Sequence, residues 1–356
     1  MKFKKLFQWT LLFPIFAWTL YLSGLADDNV WFETLSGILL VTSVLSAVHH
    51  AEVVAHRVGE PFGTIILAIA ITIIEVALII SLMIAGGGDT IFLARDTVFA
   101  AIMLILNGIL GACLLIGGVK YHEQFFAKSS ANTALISLVA ILVLTLILPN
   151  YTTSIRGPIY TKPQLIFVAL ACLIMYGSFL LVQTIRHRNY FMPENDDEEH
   201  VEPPTNQQTL ISLATLIACL GIVVLLAKSL SPAIEEMVKN AGLPKSLVGI
   251  IIAAVVLLPE GIAAIKAARR NDIQTSLNLS LGSALASIGL TIPSVVVVCI
   301  LYDIPLVLGL DIKSTILLAL SVFIAMLALS KGKTNILYGV VLLVNLAAYI
   351  FTIIYP

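Results

Sequence analysis

The sequence predicts an all-α polytopic membrane protein with 11 transmembrane helices, arranged as one helix followed by two inverted-topology repeats of five. Three observations predict this class. The chain of 356 residues is 59% hydrophobic and 12% charged, with a mean hydropathy of +1.02, values that soluble domains do not reach. Apolar windows of about 20 residues, the length that crosses a bilayer, recur throughout the chain. Two of these windows also match each other at a fixed offset.

The apolar windows predict the helices in chain order. Their approximate spans are 8–25, 31–55, 61–86, 97–118, 131–149, 163–186, 209–239, 245–266, 275–301, 313–330 and 335–354. The first follows a basic start, as a signal peptide would. It lacks a small-residue cleavage site and continues into aromatic residues, so we interpret it as a membrane helix. The seventh is the least regular, and Pro232 would allow a break near Lys228–Pro232.

One polar segment interrupts the series of helices. Residues 187–208, HRNYFMPENDDEEHVEPPTNQQ, are acidic and rich in proline, which predicts an exposed linker. The predicted domains are therefore an N-terminal helix in 1–30, a first repeat in 31–186, this linker, and a second repeat in 209–356. The linker could be a soluble tether or a cation-binding regulator, and we favour the tether.

The positions of the basic residues predict the orientation. Most of the 20 lysines and arginines fall at helix ends on one side, which the positive-inside rule assigns to the cytoplasm. The N-terminus and the linker are then cytoplasmic, and the C-terminus is outside. The equivalent helices 3 and 8 are separated by an odd number of spans, so they cross in opposite senses. Transporters with inverted repeats place their substrate site near the midplane, at the interface of the repeats.

Two glutamates lie at equivalent positions of these repeats, inside long apolar stretches. A gapless shift of 185 residues brings Glu75 onto Glu260. Each lies about 14 or 15 residues into its helix, roughly 20 Å from the start at 1.5 Å per residue. An ionisable side chain at this depth is costly and usually functional. A lone glutamate could simply be protonated and hydrogen-bonded to another helix, but the register-matched pair favours an ion site.

Two facing carboxylates suit the exchange of a cation for protons. Desolvation and mutual repulsion raise their pKa values toward neutrality. They can then hold two protons or one divalent cation, but not both at once. Competition of this kind, combined with alternating access, is antiport. Calcium takes about six to eight oxygen ligands, so hydroxyl, amide and carbonyl oxygens must supply the remainder.

Polar residues near the glutamates could supply these oxygens. Pro259 frees a backbone carbonyl one turn before it, and four serines from Ser276 onward recur every three or four residues along helix 9. Close packing of small residues is the alternative explanation for the serines. The candidate supporting ligands are Thr72, Asn107, Pro259, Ser280, Ser283 and Ser287.

A second group of ionisable residues lies nearer the helix ends. His49, His50 and Glu52 fall toward the cytoplasmic end of helix 2, and Glu235 and Glu236 toward the outer end of helix 7. They could be solvated interfacial charges. Because histidine titrates near neutrality, the alternative is a role in ion and proton access with pH sensing.

Several classes of function and partner are disfavoured. The net charge of −1 gives no reason to expect a nucleic-acid partner. The four cysteines lie in apolar runs, where a zinc site or disulfide framework is not expected. No GxxxxGK[ST], HExxH or GxSxG motif is present, so neither ATP nor enzymatic chemistry is predicted. We expect no cofactor, the lipid bilayer and inorganic cations as partners, and an oligomeric state that the sequence leaves open.

Two segments carry a family resemblance. GEPFGTIILAIAITIIEVALII and LLPEGIAAIKAARRNDIQTSLNLSLGSALASIGLTIP resemble the two alpha repeats of calcium/proton antiporters in the cation/calcium exchanger superfamily, CAX branch, and most closely the bacterial ChaA type. The resemblance implies that Glu75 and Glu260 bind calcium and protons. Many exchangers have GNA before the glutamate, and this chain has no asparagine there. The ChaA type shares that lack and is associated with sodium and potassium as well as calcium.

The resulting hypothesis is a secondary transporter of a bacterial inner membrane. It would export Ca²⁺ in exchange for H⁺ by alternating access, with Glu75 and Glu260 binding the cation or the protons. Sodium/proton or potassium/proton antiport on the same scaffold is the first alternative. A cation channel or a non-transporting membrane scaffold is the alternative of a different class.

Overall fold

The protein is a bundle of long helices. The computed structural model describes residues 2–26, 29–59, 62–86, 91–191, 204–242, 244 and 246–355. In chain order the helices are α1 (Lys2–Leu22), α2 (Val30–Val58), α3 (Phe62–Gly86), α4 (Leu93–Tyr121), α5 (Lys128–Tyr151), α6 (Lys162–Arg186), α7 (Asn206–Asn240), α8 (Ser246–Arg269), α9 (Ile273–Leu301), α10 (Ile312–Leu329) and α11 (Ile336–Ile354).

This architecture confirms the predicted fold class of an all-α polytopic membrane protein. Within the described ranges, 9 helices are long and apolar enough to span a bilayer, and α1 and α3 contribute the shorter apolar segments Trp9–Leu22 and Ile66–Ser81. The break allowed near Lys228–Pro232 does not occur, because α7 continues through Pro232. Proline removes one backbone hydrogen bond, whereas a break would expose many more polar groups to lipid.

Most helices begin at a polar side chain that caps free backbone N–H groups. The α6 and α7 helices start with the same capping box, in which threonine and glutamine side chains bond to each other's backbone. Such caps contribute about 1 kcal/mol each. The capping residues that the structure describes are Asn29 (α2), Thr161 (α6), Thr205 (α7), Asp272 (α9), Asp311 (α10) and Asn335 (α11).

The chain forms two compact units. The first comprises Met1–Gly87 and Glu199–Pro259, and the second Gly88–Glu198 and Glu260–Pro356. Both units therefore draw on both halves of the sequence, and the division into repeat domains stays a prediction. Residues 192–203, the centre of the predicted linker, lie outside the described part of the chain.

The first unit packs α1, α2, α3 and α7 around a core that includes the buried residues Val44, Leu78 and Val223. The indole N–H of Trp18 in α1 donates to the carbonyl oxygen of Ala218 in α7 at 3.0 Å. The first helix is thus an integral part of this core, as expected of a membrane helix.

The second unit is built from α4, α5, α6 and α9 to α11, together with the end of α8. Its core contains fully buried side chains such as Ile102, Leu138 and Leu285. In the part of this unit that the structure describes, three helices include a π-helical turn, at Leu104–Ile109, Val143–Ile147 and Val182–Arg186. Such turns interrupt regular backbone bonding and often mark functional positions.

A buried connection closes one end of this second unit. The α9–α10 connection (302–311) places Leu306, Val307, Leu308 and Leu310 in the interior, each 4% exposed or less. Other loops satisfy its backbone: Leu310 N donates to Leu146 O at 2.9 Å, and the Asn150 amide donates to Leu310 O at 2.7 Å. Buried loops need such partners because their polar groups have no access to water.

Arg95 is expected to stabilise this connection. Its guanidinium donates to the Asp96 carboxylate at 2.7 and 2.8 Å and to Gly309 O at 3.0 Å. Replacing Arg95 by methionine should destabilise the purified protein by about 1–3 kcal/mol, because the partly buried Asp96 carboxylate and the Gly309 carbonyl lose their donors. Thermal unfolding in detergent would measure the change.

The matched control for this variant is Lys162→Met. It removes the exposed ion pair with Asp303, in which the Lys162 hydrogen bond lowers the pKa of the Asp303 carboxyl. Solvent screens such pairs, so the control should unfold at the wild-type temperature. Equal effects of the two substitutions would contradict the role given to Arg95.

Candidate functional site

Glu75 lies on the buried face of α3. Its side chain is 5% exposed, and Thr72, one turn earlier, is 7% exposed. On the opposite face of the same helix, Ile69 and Ile73 are 47% and 45% exposed, as expected for a surface that meets lipid. The sequence-predicted pair Thr72 and Glu75 therefore shares one interior face in the middle of a membrane helix.

Glu260 occupies the corresponding depth of α8. The residue is partly exposed, but both of its carboxylate oxygens are buried. Pro259 is itself buried within the continuous helix, and its missing N–H leaves the carbonyl four residues earlier without its usual helical donor. A carboxylate and a freed carbonyl thus occur on successive turns, which is a suitable combination for binding a cation or a proton.

The predicted serine face of α9 lies largely in the interior. Ser276, Ser280 and Ser287 are 0%, 1% and 6% exposed, whereas Ser283 is partly exposed. The Ser280 hydroxyl donates to Ser276 O at 2.9 Å, so its lone pairs remain available as acceptors. The serines thus serve helix packing, and those near the middle keep oxygen atoms that could bind a cation.

Asn107 lies in the π-helical turn of α4, completely buried. Its amide nitrogen donates to Met103 O at 3.2 Å and to the Ser321 hydroxyl at 2.9 Å, and its amide oxygen accepts from Asn345 at 3.0 Å. The structure therefore brings this predicted ligand into a network with two side chains from α10 and α11.

The predicted access residues that the structure describes differ in burial. His50 is fully buried in the first unit, where its Nδ1 lies 3.1 Å from the Ser212 hydroxyl of α7 and its ring centroid 5.4 Å from that of His49. Glu52 and Glu236 are exposed, and the side chain of Glu235 lies outside the described part. Burial of His50 among helices fits a packing role as well as a role in proton access.

Ser321 and Asn345 are the residues that sequence reasoning missed. They are 0% and 5% exposed, and each is a lone strongly polar residue near the middle of an apolar helix. This is the same signal that singled out Glu75 and Glu260, but in a neutral form. A search for amide and hydroxyl side chains, as well as carboxylates, in the middle of each predicted span would have found them.

A bundle of membrane helices with polar groups at mid-depth is typical of secondary transporters. The chain belongs to the sodium/calcium exchanger protein family, whose sequence profile matches residues 29–185 and 211–355. It is an integral membrane protein of the cation/calcium exchanger superfamily, ChaA type.

Two bacterial relatives cover nearly the whole chain. The y4hA protein of Sinorhizobium fredii is 43% identical over 341 residues, 94% of this chain and 92% of its own length. The sodium-potassium/proton antiporter ChaA of Escherichia coli is 33% identical over 353 residues, 97% of this chain and 95% of its own length.

Solved exchangers share the fold. The native YfkE structure superposes with a TM-score of 0.71 at 16% identity, covering 97% of this chain and 100% of that chain. The crystal structure of the H⁺/Ca²⁺ exchanger CAX gives a TM-score of 0.69 at 16% identity, covering 98% and 88%.

Proposed function

We propose that this protein is a cation/proton antiporter that exports Ca²⁺ in exchange for H⁺, with Glu75 and Glu260 as the groups that bind them. The observation that carries the proposal is the placement of one buried carboxylate at mid-depth in each of two repeat-equivalent helices. Charge at this depth needs a counter-charge or a proton. Each glutamate can therefore alternate between cation-bound and protonated forms, and their equivalence in the repeats is the reason to expect that they act together.

Neutral oxygens complete the proposed cation coordination. Two carboxylates offer at most four oxygens, while calcium takes about six to eight. The hydroxyls of Thr72, Ser280, Ser283 and Ser287 are candidates, as are the Asn107 amide and the carbonyl freed by Pro259. His49, His50, Glu52, Glu235 and Glu236 remain candidates for ion access and pH sensing.

Sodium/proton or potassium/proton exchange is the second candidate. The relative of Escherichia coli that is 33% identical is named a sodium-potassium/proton antiporter, whereas a ChaA of Bacillus subtilis, 25% identical over 281 residues, is named a Ca²⁺/H⁺ antiporter. Carbonyl oxygens also coordinate monovalent cations such as K⁺ and Na⁺. The same two glutamates would bind the protons in either case.

The proposed location is a bacterial inner membrane with the N-terminus in the cytoplasm. The bias of lysine and arginine toward one side supports this orientation. Export would then be driven by protons that enter down their gradient, without ATP.

A flux assay in proteoliposomes tests the function. Vesicles with an acidic interior would contain the purified protein and a pH-sensitive dye, and Ca²⁺, Na⁺ or K⁺ would be added outside in separate samples. An antiporter exchanges the added cation for internal protons, so the interior becomes alkaline. We expect the fastest change with Ca²⁺, and vesicles without protein provide the control for leakage.

The outcomes separate the candidates. A response to Na⁺ or K⁺ but not to Ca²⁺ would select the second candidate. Cation entry without proton movement would indicate a channel, and no flux of any tested cation would favour a non-transporting scaffold. The last two results would overturn the proposal.

A further inference from the structure

Three neutral polar side chains form a closed group in the second unit, which we name the amide triad: Asn107 (α4), Ser321 (α10) and Asn345 (α11). The Asn345 amide nitrogen donates to Asn107 Oδ1 at 3.0 Å and to Ser321 Oγ at 2.8 Å. The Asn107 amide nitrogen also donates to Ser321 Oγ, at 2.9 Å, and this hydroxyl donates to Leu317 O at 2.7 Å. Three separate helices are thus joined by side-chain hydrogen bonds.

The network fixes which way the Asn107 amide points. Its nitrogen faces Met103 O and Ser321 Oγ, and its oxygen faces the nitrogen of Asn345. A flipped amide would place oxygen against the Met103 carbonyl and nitrogen against the Asn345 nitrogen, and both contacts are repulsive. Because Asn107 Oδ1 accepts one hydrogen bond from the triad, one of its two lone pairs remains for another ligand.

The depth of the triad matches that of the glutamates within their own helices. Each member lies close to the middle of its membrane span, Leu93–Tyr121, Ile312–Leu329 or Ile336–Ile354. Uncompensated polar groups at this depth cost several kcal/mol, and polar residues retained there usually serve function.

The π-helical turn that carries Asn107 also adjoins the turn of α8 that carries Glu260. Ile109 belongs to the same π-helical turn as Asn107, and its Cδ1 lies 3.4 Å from the position that a Cβ on Gly261 would occupy. The serine helix α9 packs against this π-helical turn as well. The segment that presents the Asn107 amide therefore contacts the helices that carry Glu260 and Ser280.

We propose that Ser321 and Asn345 are positioning residues that hold the Asn107 amide oxygen as a ligand for the transported cation. This inference rests on the proposed function, since it assigns Asn107 to the cation that is exchanged. Neither Ser321 nor Asn345 touches the cation. They keep the Asn107 amide oriented while a dehydrated cation binds. Cation binding then does not lose free energy to the ordering of this side chain.

Cation binding and transport of the full-length protein would test the proposal in Asn345→Leu and Ser321→Ala variants. Two readouts are needed: stabilisation of the detergent-purified protein against heat as Ca²⁺ or Na⁺ is added, and the KM and maximum rate in proteoliposomes. We expect the apparent affinity to fall and KM to rise about tenfold, the scale of one oriented hydrogen bond to a ligand. The maximum rate should change by less than about threefold.

A double-mutant comparison separates positioning from general stability. Because Ser321 and Asn345 act through Asn107, adding Asn345→Leu to Asn107→Leu should raise KM no further. Ser321→Thr retains the hydroxyl and should restore the wild-type KM. The control is Ser330→Ala, which removes an exposed hydroxyl bonded to Leu327 O at 2.7 Å at the end of the same helix.

The other results overturn the proposal in distinguishable ways. A lower unfolding temperature with unchanged cation affinity, or additive effects in the double variant, would show that the triad is only structural. If Asn345→Leu fails to fold, Ser321→Ala decides by the same criteria. If the wild-type protein binds cations without exchanging protons, only the proposed function is overturned. The cation affinities of the variants would still test the role of the triad. A wild-type protein that no cation stabilises and that carries none would overturn both.

Discussion

Replacing Glu75 or Glu260 by glutamine is expected to reduce cation-coupled proton movement at least about 100-fold. Glutamine has nearly the same shape, but it carries neither the charge that neutralises a cation nor a proton to exchange. Losing a charged partner in a buried site costs about 3 kcal/mol or more, which corresponds to roughly 100-fold in affinity. The proteoliposome assay with an imposed pH gradient would measure the loss.

The control for these variants is Glu123→Gln. Glu123 is exposed and pairs with Lys333 at 2.8 Å, and in this pair the Glu123 carboxylate raises the pKa of Lys333. The control should transport at the wild-type rate. Both glutamine variants should also keep the wild-type unfolding temperature within a few degrees, because removing a buried charge lowers the cost of desolvation.

The double variant Glu75→Gln with Glu260→Gln decides whether these glutamates carry the exchange at all. If both glutamates act in one transport cycle, the double variant should be at least as inactive as either single variant and should show no proton coupling. Cation-dependent proton movement that persists in the double variant would contradict the proposed mechanism. Loss in only one single variant would assign proton and cation binding to that glutamate alone.

Hydrophobicity predicted the helices because a bilayer imposes a simple rule. A span needs about 20 apolar residues whose backbone is bonded internally, so α2, α6 and α9 agree with their predicted spans within a few residues. The same rule does not reveal local departures. The π-helical turn at Leu104–Ile109 and the buried connection 302–311 depend on contacts with other helices and loops.

The sequence predicted only those site residues whose own burial in a membrane helix is energetically costly. Glu75 and Glu260 are conspicuous because charge is rare in an apolar helix. Asn107 was recognised as a polar residue, but its partners Ser321 and Asn345 come from helices that are more than 200 residues away in the chain. The burial of His50 against Ser212 of α7 could not be predicted from its position near a helix end, and its role in access stays a prediction.

Replacing Gly339 by alanine is expected to destabilise the protein strongly. Gly339 lies where α11 crosses α4, and a Cβ at this position would be only 2.7 Å from both Gly111 O and the Leu115 Cα. Both are backbone atoms, so neither can move aside as a flexible side chain would. Small residues permit such close crossings in membranes, and overpacking a site of this kind costs about 3 kcal/mol or more.

Thermal unfolding of detergent-purified protein would measure this effect, with Gly177→Ala as the matched control. Gly177 lies in α6, and apart from its chain neighbours and the local helix backbone, no described heavy atom lies within 4 Å of the position its Cβ would take. Alanine favours helix at such an open position by about 0.5–1 kcal/mol, so the control should be as stable as the wild type or slightly more stable. Equal stability of the Gly339 and Gly177 variants would contradict the close crossing.

A folded Gly339→Ala protein should also bind the cation more weakly. Asn345 lies on α11 beyond this crossing. Separating α11 from α4 would therefore lengthen the hydrogen bond that Asn345 donates to Asn107.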